Sequence, residues 1–188
     1  MQQPSFTGVI LAGGASRRMG TDKGKMRLGG KSMLAIMRQK LLDAGATNIV
    51  VLGLADEKDG IADRHPGQGP AYAAAHYLDQ QPIGSKHLFV PVDMPALDAR
   101  LLRALGRQNY WARYGDFNLP FLGLSDGIKL PLPRRLYDLL TIKMAKRLPL
   151  PKGYHPSFVN LNSPDDCVAY TGRFPGHKTH AISAERTC

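Results

Sequence analysis

Residues 11–30 read LAGGASRRMGTDKGKMRLGG. Gly13 and Gly14 carry no Cβ, so the backbone there can take unusual dihedrals and touch a ligand directly. Consecutive free N–H groups in such a loop form a concavity suited to an anion. Arg17, Arg18, Lys23 and Lys25 follow and supply charge and directed donors for phosphate oxygens. A turn that merely joined two elements would need no such set of cations. A second candidate is Asp93 in VPVDMPAL (90–97), where an apolar run ends abruptly and Pro95 forbids further strand pairing. A hard carboxylate beside bound phosphates is how Mg2+ is commonly held, although an acid here could instead cap the next turn. Asp63 reads either as a ligand-facing group or as a surface loop acid. Asn160 and Asn162 stand near a strand end, where asparagine also serves turns, so the residues alone leave those roles open.

These side chains need a scaffold. TGVILA (7–12), NIVVLGL (48–54), HLFVPV (87–92) and SFVNL (157–161) are near-continuous apolar runs, the pattern of parallel strands buried on both faces. Between them, 32–44 reads as a helix with Ser32 as N-cap and Gly45 as its stop. Residues 69–80 and 98–108 read as helices too, Asp98 being placed to cap the second. SPDD (163–166) is a compact helix start with acids near the positive end of the dipole. This alternation predicts an α/β single-domain doubly wound, mostly parallel sheet with helices on both faces. In ligand-binding sheets of that kind the site lies beyond the carboxyl ends of the strands, where the glycine loop follows the first strand. The proline-rich stretch 109–156 offers only a weak strand at LPFLGL (119–124) and a helix around 134–147. The domain is expected over residues 1–170, with 171–188 as a mobile tail whose HKTH (177–180) reads as polar surface rather than a metal grip.

The 188 residues carry a net charge of +10, which points to anionic partners. The charge is concentrated: through Lys40 there are eight Lys or Arg and a single acid, Asp22. That clustering around a glycine loop favours a phosphate-bearing small ligand over nucleic acid, for which no module and no interleaved aromatics are recognisable. Cys167 and Cys188 make no disulfide framework and no zinc pair. The start lacks a basic n-region and an apolar h-region, and no apolar run approaches bilayer length, so a cytoplasmic protein without membrane association is expected.

The loop fits neither the Walker pattern nor GxGxxG. What it does fit is LAGGxSxRMGxDK, running from Leu11 to Lys23. This resembles the signature of the molybdenum cofactor guanylyltransferases, the MobA type within the Rossmann-like nucleotide-diphospho-sugar transferase fold. Three later segments resemble the same family in order. DRHPGQGPAYAAAHYL (63–78) is similar to its Asp followed by GPLAG, VPVDMPAL to its metal-binding Asp, and FVNLNSPDD (158–166) to its F-x-N-x-N-T-P-E segment. There are departures: GPAYA replaces GPLAG with a bulky Tyr72, Leu54 stands where the family often offers Asn, and 109–157 is shorter than usual.

The resemblance implies transfer of GMP from GTP to the phosphate of molybdopterin or molybdenum cofactor, with pyrophosphate released and Mg2+ as cofactor. Leu11, Ala12, Gly13 and Gly14 would face the nucleotide. Arg18 and Lys23 would hold its phosphates, Asp93 the metal, and Asp63 would support the nucleotide. Asn160 and Asn162 would lie on the pterin side. Other cofactor-biosynthesis proteins or acceptor enzymes are further partners that such a role would bring. A sister cytidylyltransferase, whose loop resembles LAAGxSxRMG without the Asp-Lys pair, is disfavoured by Gly13 and Asp22-Lys23. Another acceptor, or a degenerate non-catalytic nucleotide-binding module, stays open.

Overall fold

The computed structural model describes residues 5–13, 23–107, 110–112, 121–125, 138–139, 146–148 and 158–173. In chain order the elements are β1 (Phe6–Leu11), β2 (Arg27–Leu28), β3 (Lys31–Ser32), α1 (Met33–Ala44), β4 (Ala46–Leu52), β5 (Gly60–Ile61) and α2 (Pro70–Leu78). Then come β6 (Lys86–Pro91), α3 (Ala99–Arg107), β7 (Tyr110–Ala112), β8 (Phe121–Leu124), β9 (Lys146–Leu148) and α4 (Pro164–Arg173). Among the described residues a seven-stranded sheet has the order β5-β4-β1-β6-β8-β7-β9, and β2 and β3 form a separate antiparallel hairpin. The strands from β5 to β6 are parallel, and β8 joins antiparallel to β6. Among the described residues no helix is long and apolar enough to cross a membrane.

β1 is mostly apolar because both of its faces are covered. Ile10 packs with Met33, Met37 and Leu41 of α1 and Leu102 of α3, while Val9 faces Ala71, Ala74 and Leu78 of α2. Side chains of this size, fully buried, each contribute about 1.5–3 kcal/mol relative to exposure. The predicted caps hold α1 in place. Ser32 Oγ accepts from the Ala35 N–H at 3.1 Å, and Gly45 closes the helix at φ 101°. Asp98 accepts from the Arg100 N–H at 2.7 Å where α3 begins.

Between α2 and β6, His87 is buried against Tyr77. Ser85 Oγ donates to Pro82 O, so it accepts from His87 Nε2–H at 2.7 Å and leaves Nδ1 to accept from the Tyr77 hydroxyl. Burial pushes the imidazole down to about 4 and the phenol up to about 12. With its polar atoms engaged inside the fold, this histidine holds α2 to β6.

Three expectations change. Residues 158–161 of SFVNL are not a strand, because their backbone bonds to a loop rather than to a ladder, as described below. Residues 138–139 are helical, but 146 and 147, read as the end of the same helix, belong to β9 and pair with β7. α4 runs to Arg173, three residues into the segment assigned to the tail, the rest of which lies outside the described residues.

β1 leads through α1 to β4 on one side, and β4 leads through α2 to β6 on the other. The carboxyl ends of β1 and β6 therefore flank the point where the strand order reverses, the expected ligand crevice. The backbone is laced there: Ala12 and Gly13 donate to Leu52 O at 2.9 and 3.0 Å, and Val92 donates to Leu11 O at 3.1 Å. Gly53 has φ 98°, and a Cβ on it would lie 2.3 Å from Gly13 Cα. Gly53→Ala is therefore expected to destabilise the fold more than Gly84→Ala, whose φ of 87° is also left-handed but whose added Cβ would meet nothing within 4 Å. The dihedral alone costs about 1–2 kcal/mol in either variant. Each further kcal/mol should lower the thermal midpoint by roughly 2–4 °C at this size. Equal midpoints would show that the contact of the two loops imposes no constraint.

Candidate active site

Asp93 is the first residue to surface after β6. Val92, Met94 and Leu97 on either side of it are buried in the core. The turn is fixed from below as well, since Lys40 of α1 donates to Leu97 O at 2.8 Å. Phe158 and Leu161 anchor the segment before α4 in the same core, and the Leu161 N–H donates to the Asp93 carbonyl at 2.8 Å. That bond is what replaces the strand ladder expected for SFVNL.

The side chains converge on one carboxylate. Lys23 Nζ lies 2.9 Å from Asp93 Oδ2, with only 15% and 16% of the two side chains exposed, and it also donates to Asn162 Oδ1. For Asn160 one amide orientation pairs donors with acceptors, the one that turns Nδ2 toward Asp93. In it Nδ2 donates to Oδ1 at 2.8 Å, to Oδ2 at 3.0 Å and to the carbonyl oxygen at 3.2 Å. The next residues are set by a capping box at the start of α4. Asp166 N–H donates to Ser163 Oγ at 3.2 Å, and Asp166 Oδ2 accepts from the N–H groups of Asn162 and Ser163 at 2.8 and 2.9 Å. These donors, the Asn162 amide foremost, hold the Asp166 carboxyl below the ordinary carboxylate range.

The structure thus brings Lys23, Asp93, Asn160 and Asn162 together. Leu11, Ala12 and Gly13 line the neighbouring β1 and β4 ends, half-buried. Gly14, Arg17, Arg18 and Asp22 lie outside the described residues. Asp63 is not among the partners of Asp93. Its Oδ1 accepts from the His65 N–H at 3.0 Å, and it borders a cavity shared with Gly53, His65, Tyr72 and His76. Tyr72 meets His65 edge-on at 5.0 Å and lies near-parallel to His76 at 6.4 Å. Leu54 is buried in the core and offers the site no polar group.

Sequence reasoning missed Gly53, although a glycine directly after a strand is the signal for such a close backbone approach. It also missed the contact of Asn160 with Asp93, for which two asparagines near a strand end give no signal.

The donor chemistry suits a hard divalent cation. Asp93 supplies carboxylate oxygens, and the ammonium of Lys23 already stands against one of them. No three metal-ligating side chains gather among the described residues, so oxygens of a bound phosphate would have to complete the coordination.

A family model, the MobA-like NTP transferase domain, matches residues 8–114. A protein of Xanthomonas euvesicatoria pv. vesicatoria named molybdenum cofactor guanylyltransferase is 35% identical over 177 residues, 88% of this chain and 93% of that one. Among solved structures, a nucleotidyl transferase from Methanothermobacter thermautotroptrophicus superposes with a TM-score of 0.62 at 14% identity, covering 91% of this chain and 98% of that one. Molybdopterin-guanine dinucleotide biosynthesis protein A from Archaeoglobus fulgidus does so at 0.58 and 19% identity, covering 91% and 100%. The last two speak for the fold, which is that of nucleotidyltransferases. The family match spans the glycine loop, β1, β4, β6 and Asp93, and with it the chain belongs to the MobA-like NTP transferase family.

Proposed function

We propose that this protein moves GMP from GTP to the phosphate of molybdopterin or molybdenum cofactor in the cytoplasm, releasing pyrophosphate. The observation that carries this reading is the seating of Lys23 on Asp93 at the β1/β6 reversal point, in a chain 35% identical to a molybdenum cofactor guanylyltransferase. Leu11, Ala12, Gly13 and Gly14 would present backbone donors and acceptors to guanine, whose edge carries both. Asp63 would support the nucleotide from the lining of the cavity it shares with Gly53.

In the reaction an oxygen of the pterin phosphate attacks the α-phosphorus of GTP in line. A new P–O bond forms, the α–β bridge breaks, and pyrophosphate leaves with the electron pair. The attacking phosphate is already anionic, so no side chain need act as general base. Such transfers require positioning and charge neutralisation more than covalent chemistry. Lys23 and Arg18 would hold the triphosphate and stabilise charge on the departing pyrophosphate. Asp93 would hold Mg2+, which when bound supplies positive charge to the phosphate oxygens. The segment bearing Asn160 and Asn162 would border the acceptor.

GTP with Mg2+ should stabilise the protein clearly more than CTP, ATP or UTP in a thermal-shift screen. At 100 times the dissociation constant the gain is about 2.7 kcal/mol. A larger shift with CTP would move the assignment to cytidylyl transfer. Asp93→Asn keeps the shape of the side chain, so its stability should fall by no more than the roughly 1.5–3 kcal/mol of a charged hydrogen bond. Its Mg2+-dependent GMP transfer should fall on the order of 100-fold or more, because a neutral amide is a poor ligand for a hard cation. Full Mg2+-dependent activity in that variant would mean the metal is held elsewhere.

A further inference from the structure

Asn160 belongs to the segment that would border the acceptor, yet its side chain is engaged with Asp93. We propose that Asn160 is a positioning residue whose amide fixes the orientation of the Asp93 carboxylate for the nucleotide-bound metal.

The amide nitrogen lies within 3.0 Å of both carboxylate oxygens, so it opposes rotation of the group about its Cβ–Cγ bond. It also reaches the Asp93 carbonyl at 3.2 Å, while the Leu161 N–H donates to that carbonyl at 2.8 Å. Side chain and backbone of Asp93 are therefore held by two successive residues. Those residues cannot drift, because Phe158 and Leu161 are 5% and 1% exposed and the Asp166 carboxylate ties down Asn162 and Ser163. Lys23 binds Oδ2 from the glycine-loop side, so when the ammonium turns to a phosphate, Asn160 is the partner that stays. Outer partners that orient metal-binding groups in this way typically control affinity by about 10–100-fold.

The inference rests on the reading of Asp93 as the metal-holding carboxylate, and Mn2+ binding separates the two claims. Affinity is measured by electron paramagnetic resonance on the full chain, with a non-hydrolysable GTP analogue present. The variants are Asn160→Leu, Asn160→Ser and Asn160→Leu in the Asp93→Asn background, with thermal midpoints recorded for each. Asn160→Leu should weaken Mn2+ binding by about 10–100-fold. It should leave metal-free binding of the analogue nearly unchanged, a split that a merely structural defect would not give. Asn160→Ser, which keeps a hydroxyl donor, should recover part of the loss, and it carries the test if the leucine variant does not fold. In the Asp93→Asn background the leucine substitution should add no further loss. Wild-type Mn2+ affinity in folded Asn160→Leu, with only the acceptor KM raised, would overturn the inference and return Asn160 to the acceptor. Failure of the unmodified protein to bind Mn2+ with the analogue would overturn the metal reading and this inference with it.

Discussion

A carboxylate with only 16% of its side chain exposed has given up most of its contact with water, and cations and donors from the protein must take the place of that water. Asp93 is such a group, and its partners arrive from both ends of the domain. Lys23 stands 70 residues before it, and the asparagine segment follows it by more than 60. The glycine loop, the end of β6 and the entry to α4 must each be in place for the anion to be satisfied. The anion, in turn, draws three remote pieces of chain to one point. Lys23 supplies the only full positive charge among its described side-chain partners, a charge suited to exchange with a cation that arrives with phosphate.

The sheet makes this convergence possible. Both faces of β1, β4 and β6 are covered by helices, so their polar groups are consumed in the ladder and apolar side chains fill both sides. At the carboxyl ends of β1 and β4 the ladder gives way to loop backbone. There the loops after β1 and β4 approach so closely that Gly13 and Gly53 leave no space for a Cβ between them. Lys23, Asp93, Asn160 and Asn162 meet at this same rim of the sheet.

Much of this was legible in the residues because it is encoded locally. Continuous runs of Val, Ile and Leu marked β1, β4 and β6, and Ser32, Gly45, Asp98 and the SPDD start marked helix ends through side-chain chemistry with near neighbours. What escaped depends on distant partners. FVNL (158–161) has the composition of a strand, but its backbone bonds to Asp93 and its neighbours to the α4 cap, a choice made by tertiary contact. β2 and β3, two residues each around Gly29 and Gly30, are too short to show any period. The helical pattern around 134–147 gives way at 146–148, where pairing with β7 overrides propensity. Lys23 and Asp93 were both expected in the site, but that they touch could not be read from residues 70 positions apart.

The central claim is that Asp93 exchanges the ammonium of Lys23 for a nucleotide-bound metal. Anomalous diffraction from crystals grown with Mn2+ and a non-hydrolysable GTP analogue tests it most directly. The account predicts an anomalous peak within coordination distance of an Asp93 carboxylate oxygen, with Lys23 Nζ moved from Oδ2 to the phosphates. A peak remote from Asp93, or Lys23 still seated on Oδ2 with nucleotide bound, would contradict it.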